Sequence, residues 1–179
     1  IYDLGSSLCA CSLSVQDKIQ NINGNIYAVD SSPSMINECK KNIDNKKIKL
    51  INSDIASINI ENSSVIILNL TLQFIPKDRR TRLLKNFFDN LNKHGVIIIT
   101  EKIIIDEIDN NKFSKNFHDF FKENKCYSKE EIDRKKIALE NVMLLESEKQ
   151  YEKRFNEIGC TNFFKWFQCY NFISWVLVK

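Results

Sequence analysis

Ile1-Tyr2-Asp3-Leu4-Gly5-Ser6-Ser7 carries a short apolar segment into a turn built on an acid and a glycine. Asn25-Ile26-Tyr27-Ala28-Val29-Asp30 ends a second apolar segment on a carboxylate. A strand, a glycine turn, a helix and a strand ending in an acid is how an α/β domain holds an adenosine-bearing cofactor. Glycine has no Cβ, so the backbone at Gly5 can approach a ligand closely. The Asp30 carboxylate can accept from both ribose hydroxyls. Asp30 and Ser31 could instead serve as a helix cap. Their register with Gly5 favours the ligand role. The pair names a class of ligand and leaves the reaction open.

Three further strings could carry chemistry. In Asn52-Ser53-Asp54-Ile55 an acid follows a third apolar run, where it can bond an adenine amino group while the next amide meets the ring. Asn69 interrupts the otherwise apolar strand Val65 to Leu70, and a buried amide needs a partner, so a ligand or a polar network is expected there. The polar stretch from Asp106 to Lys149 offers His118, Lys122, Arg134, Lys135, Lys136, Glu140 and Asn141. A cation among them could hold an anionic substrate, although a charge run on a helix is normally a solvated face. The aromatic string Trp166-Phe167-Gln168-Cys169-Tyr170-Asn171-Phe172 reads as core packing.

The elements that must position these residues follow from hydrophobic period. Strands are expected at Ile1 to Leu4, Ile26 to Val29, Ile48 to Ile51, Val65 to Leu70 and Val96 to Thr100. Helical spacing covers Leu8 to Ile22, a stretch opened by Ser31-Ser32-Pro33-Ser34, and Lys77 to Asn92. Val- and Ile-rich strands with helices between them imply a parallel sheet covered on both faces. The polar stretch 106–149 reads as a helical insertion without a clear strand, over the end of the sheet. A helix Gln150 to Ile158 and two runs, Asn162 to Cys169 and Phe172 to Val178, close the chain. Tyr170-Asn171 between those runs is a tight hairpin connection.

Composition narrows the field. The 179 residues make one domain with an ordinary 43% hydrophobic and 27% charged content. A net charge of +3, with scattered basic residues and no interleaved aromatics, argues against direct nucleic-acid binding. No apolar run is long enough to cross a bilayer, and nothing resembles a signal peptide. The six cysteines have no zinc-type spacing, so free thiols in a reducing cytoplasm and no metal are expected.

An antiparallel pair closing a parallel sheet is the signature of the class I methyltransferase (Rossmann-like) fold. Asp3-Leu4-Gly5-Ser6-Ser7-Leu8-Cys9 resembles motif I of the S-adenosylmethionine (SAM) enzymes, with Cys9 in place of the second glycine. Tyr2-Asp3-Leu4-Gly5, Leu68 to Phe74, Glu101-Lys102, Leu139-Glu140-Asn141-Val142-Met143 and Trp166-Phe167-Gln168-Cys169 together resemble the carboxy-S-adenosyl-L-methionine synthases. The resemblance runs from Ile1 to Lys179 and places the family's N-terminal quarter, with a cofactor-contacting tyrosine, outside this sequence.

The resemblance implies a SAM enzyme that does not methylate. Prephenate would lose its ring carboxylate and a hydroxide to give phenylpyruvate. The carbon dioxide would be captured on the SAM methyl carbon, acidified to an ylide by the positive sulfur. The product would serve a partner enzyme that makes 5-carboxymethoxyuridine at the tRNA wobble position. By the same resemblance, Gly5, Ser6 and Ser7 match the methionine-binding turn, Asp30 and Ser31 the ribose pair, Asp54 and Ile55 the adenine pair, and Asn69 a further cofactor contact. Lys136 stands where the family has an arginine that holds the added carboxylate. A cytoplasmic homodimer is implied as well. An ordinary SAM-dependent methyltransferase and a non-catalytic member of the fold remain open alternatives.

Overall fold

The computed structural model describes residues 1–19, 23–43, 47–105, 108–125, 127–140 and 142–179, with backbone alone at 108–112, 114, 115 and 118. In chain order the elements are β1 (Tyr2–Leu4), α1 (Ala10–Gln16), β2 (Ile26–Asp30), α2 (Pro33–Asn42), β3 (Ile48–Asn52), β4 (Ser63–Asn69), α3 (Lys77–Asp89) and β5 (Leu91–Ile104). There follow α4 (Ile108–Asn124), α5 (Lys129–Glu140), β6 (Glu146–Ser147), α6 (Glu148–Glu157), β7 (Asn162–Cys169) and β8 (Phe172–Val178).

The strands form a sheet in the order β3-β2-β1-β4-β5-β8-β7. The first five run parallel, and β8 lies antiparallel between β5 and β7. This is the class I methyltransferase arrangement. The strand order reverses between β1 and β4, so a crevice opens beyond their carboxyl ends, where ligands bind in open α/β sheets.

Alternation sorts the side chains to two faces. On β2, Ile26 and Ala28 join Cys9, Ile19, Cys39 and Ile48 on one side. Val29 on the same strand joins the larger core on the other, with Leu4, Leu68, Phe87, Tyr151 and Trp175. Between α3 and the C-terminal elements, Arg80 and Arg154 converge on Glu146, all three buried. Arg80 donates to Glu146 Oε2 at 2.6 Å, and Arg154 takes both Glu146 oxygens at 2.8 Å. Burial alone would raise the Glu146 pKa, but the two guanidinium groups outweigh it and hold the carboxyl below its ordinary value.

Several boundaries differ from expectation for local reasons. The first helix starts at Ala10 instead of Leu8, because Cys9 sits in the left-handed region at φ 61° and cannot join a right-handed helix. After Gln16 the chain tightens into a 3₁₀ turn, Asp17–Ile19; Ile22 lies outside the described residues. Strand β5 is far longer than Val96 to Thr100, because it begins at Leu91, paired with Ser63 of β4 across a register shift, and continues past β4 to pair with β6 and β8. The expected strandless stretch therefore contains the two-residue β6, paired through Glu146 with Ile103. The expected core placement of the aromatic string is overturned at Trp166 and Phe167, which are more than half exposed on the edge strand β7.

Candidate functional site

One cavity of about 2040 Å³ opens at the carboxyl ends of the parallel strands. Single-ligand pockets run to roughly 1,000 Å³, so this one has room for a cofactor and a second molecule. Gly5, Ser7, Asp30, Ser31, Asp54, Ile55 and Asn69 all line it, which brings together seven of the eight expected cofactor residues. Ser6 is not among the lining residues; its side chain is buried, with Oγ 3.9 Å from Cys9 Sγ. Lys136 and Lys135 on α5, Lys122 on α4, and Arg79 and Arg82 on α3 line the same cavity.

The glycine turn is fixed by its neighbours. The amides of Gly5 and Ser6 both donate to Val29 O, at 2.8 and 3.0 Å, locking the turn to the end of β2. Gly5 has φ +76°, and a Cβ there would lie 2.6 Å from Thr71 Oγ1 and Cγ2. Both conformation and space therefore demand glycine. Upstream, buried Asp3 accepts from Ser12 N at 3.1 Å and Ser12 Oγ at 2.6 Å, tying β1 to α1. Burial pushes the Asp3 carboxyl up, against the pull of those two bonds.

Asp30 bridges two elements. Its Oδ2 accepts from Ser7 N and its Oδ1 from Ser32 N, both at 2.8 Å. Each carboxylate oxygen has further acceptor capacity for a hydroxyl. Ser32, not Ser31, caps α2 through Met35 N, with Pro33 at the first helical position. Ser31 is thereby left to the cavity. Asp54 Oδ1 accepts from Ala56 N at 2.8 Å and so shapes its own loop, with Ile55 buried beside it.

Asn69 departs from expectation. It is exposed, because it ends β4 at the cavity mouth instead of interrupting a core strand. Its Nδ2 donates to Cys11 Sγ at 3.4 Å. Lys136 on α5 is also exposed, and its ammonium pairs with Asp119 on α4 at 2.7 Å and Asp133 at 3.7 Å. The hydrogen bond to Asp119 raises its pKa. Lys122 is shifted the other way, first by burial and then by Lys135. Arg134 is not among the lining residues. Asn141 lies outside the described residues, as does the side chain of His118.

Polar groups at the strand ends in this arrangement could come from many SAM-type enzymes, and comparison with known proteins narrows it. The methyltransferase domain family matches residues 1–95. The carboxy-S-adenosyl-L-methionine synthase of Shewanella frigidimarina is 40% identical over 183 aligned residues, covering 100% of this chain and 75% of its own length. That of Vibrio campbellii is 39% identical with the same coverage. The chain belongs to the carboxy-S-adenosyl-L-methionine synthase family. At the level of fold, a putative O-methyltransferase from Nostoc punctiforme superposes with a TM-score of 0.69 at 15% identity, over 99% of this chain and 51% of that one. LepI in complex with SAM gives 0.67 at 11%, over 99% and 42%.

Within this carboxy-SAM synthase family member, three residues that the sequence strings contain, but to which no site role was given, shape the site: Asp3 beneath the turn, Thr71 against Gly5, and Glu101 behind Thr71. The signal for Glu101 was present, as a charge inside a strand that is otherwise mostly Ile and Val. Among the described residues no group of three or more His, Cys, Asp or Glu is placed to hold a metal, and the five described cysteines are free. No helix among them is long and apolar enough to cross a membrane.

Proposed function

We propose that this chain converts SAM and prephenate to carboxy-SAM and phenylpyruvate. The observation that carries the reading is that seven residues from four strand ends and Lys136 on α5 line the same cavity. Gly5, Ser6 and Ser7 form the turn that takes the methionine part, and the missing Cβ at Gly5 is what lets Thr71 close against that turn. Asp30 and Ser31 take the ribose, Asp54 and Ile55 the adenine, and Asn69 a further contact at the end of β4. When bound, SAM supplies an acidified methyl carbon that captures the carboxyl group.

The residues of the facing wall then orient anions. Lys136 holds the transferred carboxylate, exchanging Asp119 for it. A lysine offers a point charge without the planar fork of arginine, so the grip is less directional. Lys122 and Lys135 add positive potential on the same wall. In the balanced reaction, the ring carboxylate of prephenate moves to the methyl carbon, and its departing hydroxide combines with the methyl proton as water. Water must otherwise be kept from the acidified carbon, and the α4–α5 wall is placed to cover it. The product then serves a partner enzyme that modifies the wobble uridine of tRNA, and the synthase itself works as a cytoplasmic homodimer.

Mass spectrometry of a reaction containing the chain, SAM and prephenate tests this. A product heavier than SAM by one carboxyl group is expected, together with phenylpyruvate. Formation of S-adenosylhomocysteine instead would make the protein an ordinary methyltransferase and sink the proposal.

A further inference from the structure

Glu101 is fully buried in β5 and is not among the residues lining the cavity. Its carboxylate takes three consecutive backbone amides. Oε1 accepts from Thr71 N at 3.0 Å and Leu72 N at 2.7 Å, and Oε2 accepts from Gln73 N at 3.0 Å. These residues open the single 3₁₀ turn Leu72–Phe74 that follows β4. The first amides of a helical turn have no partner within it, and here one side chain satisfies all three.

The consequence reaches the glycine turn through one residue. Thr71, held from behind by Glu101, donates from Oγ1 to Leu4 O at 2.8 Å. Its side chain also fills the space that a Cβ at Gly5 would occupy. Gly5, Thr71, Gln73 and Phe74 all face the cavity. Glu101 thus fixes Thr71, Thr71 fixes the end of β1, and the end of β1 sets Gly5.

We infer that Glu101 is a positioning residue for cofactor binding: it holds the Thr71–Gln73 segment in the shape that leaves room for the ligand beside Gly5. This rests on the cofactor assignment above and is independent of carboxyl transfer. Arg80 on α3 and Tyr151 on α6 are the other polar groups acting on Glu101. The Tyr151 hydroxyl is buried without a hydrogen-bond partner among the described residues, so it does not compete with the three amides for the carboxylate.

The two oxygens of Glu101 give the test its resolution. Glu101→Gln keeps the shape and an Oε1 able to accept from Thr71 and Leu72, but turns an NH₂ group toward Gln73 N. Amide exchange at Gln73 should then accelerate by about tenfold, the equivalent of one net hydrogen bond, while Thr71 and Leu72 stay protected. Affinity for S-adenosylhomocysteine, measured by calorimetry on the folded variant, should fall several-fold, and further in Glu101→Ala. Unchanged affinity in folded Glu101→Gln with only a lower melting temperature would reduce Glu101 to a structural residue and overturn the inference. Should Glu101→Ala not fold, Thr71→Val removes the bond to Leu4 at constant shape, and undiminished affinity there would overturn it equally. A wild-type chain that fails to bind S-adenosylhomocysteine refutes the cofactor assignment instead. In that case uniform exchange at Thr71, Leu72 and Gln73 in Glu101→Gln still counts against the inference.

Discussion

Two three-charge clusters in this molecule are mirror images in sign and opposites in environment. In the first, two cations, Arg80 and Arg154, share one acid, Glu146, and all three are buried. In the second, two acids, Asp119 and Asp133, share one cation, Lys136, whose side chain is 51% exposed. Water is the difference. The buried cluster has no solvent to fall back on, so it fixes α3, β6 and α6 in one arrangement. The exposed cluster can trade any partner for water at small cost, which is what the proposed grip on a carboxylate requires. One cluster builds the frame behind the cavity, and the other is an exchangeable contact on its wall.

Removing the shared acid should separate the two most sharply. Glu146→Gln leaves two guanidinium groups buried with little to answer them, and breaking a buried ion pair costs about 3–5 kcal/mol. Urea unfolding should report that loss. A loss under about 1 kcal/mol, the scale of an exposed pair, would mean the triad is hydrated in solution and the contrast is false.

Gly5→Ala comes next. The new Cβ meets Thr71 at 2.6 Å in a backbone region that alanine avoids. Overpacking costs about 1–3 kcal/mol, and the turn must shift to relieve it. S-adenosylhomocysteine affinity should drop by more than tenfold, read by calorimetry on the folded fraction. Equal affinity would detach the turn from the ligand.

Asp119→Asn, in the exposed cluster, should leave stability within about 1 kcal/mol of the parent and change kinetics instead. Losing its strongest anionic neighbour lowers the Lys136 pKa toward the ordinary value and frees its ammonium for substrate. The KM for prephenate should fall while S-adenosylhomocysteine affinity holds. Lys136→Ala should do the reverse, raising that KM. If both variants leave KM unchanged, Lys136 is a solvated side chain and the carboxylate is held elsewhere.

The pH dependence of stability gives a smaller, signed effect. Burial pushes Glu101 up to about 8, against three amides and Arg80 that pull it down. A carboxyl with a raised folded-state pKa contributes stability that is complete below its unfolded value and is lost as pH climbs through the folded one. Urea midpoints should therefore decline between about pH 4.5 and 8, and Glu101→Gln should flatten that decline. Glu146 does not produce this slope, because its carboxyl is held below the ordinary value; buried Asp3, also pushed up, adds a decline that Glu101→Gln leaves in place.

What could be read from the sequence divides along the same line of local against distant. Gly5, Asp30 and Asp54 were legible because each follows an apolar run, and strand ends in a parallel sheet share one edge. Asn69 was placed correctly in sequence but wrongly in depth, since where β4 stops depends on Leu70 turning to φ 58°. The partners that matter most were not legible. Arg80 lies 66 residues from Glu146, Glu101 lies 28 to 30 from the amides it holds, and Lys136 lies 17 from Asp119. No spacing rule pairs such residues; only the packed sheet brings them together.

Cys9 offers the finest test of how finely the turn is tuned. It holds a position where glycine would be at ease, at φ 61°, and the left-handed conformation costs an L-residue about 1–2 kcal/mol. Its side chain returns part of that by packing with Ile26 and Ile48, and its Sγ lies 3.0 Å from Cys39 Sγ. Burial, then Cys39, pushes the thiol up to about 12, so it stays protonated and inert at neutral pH. Cys9→Gly relieves the strain and loses the packing, and the two are of similar size. Stability should therefore change by less than about 1 kcal/mol, with S-adenosylhomocysteine affinity unaltered. A loss of several kcal/mol would show that the Cys9 side chain, more than the hydrogen bonds to Val29, holds the turn closed.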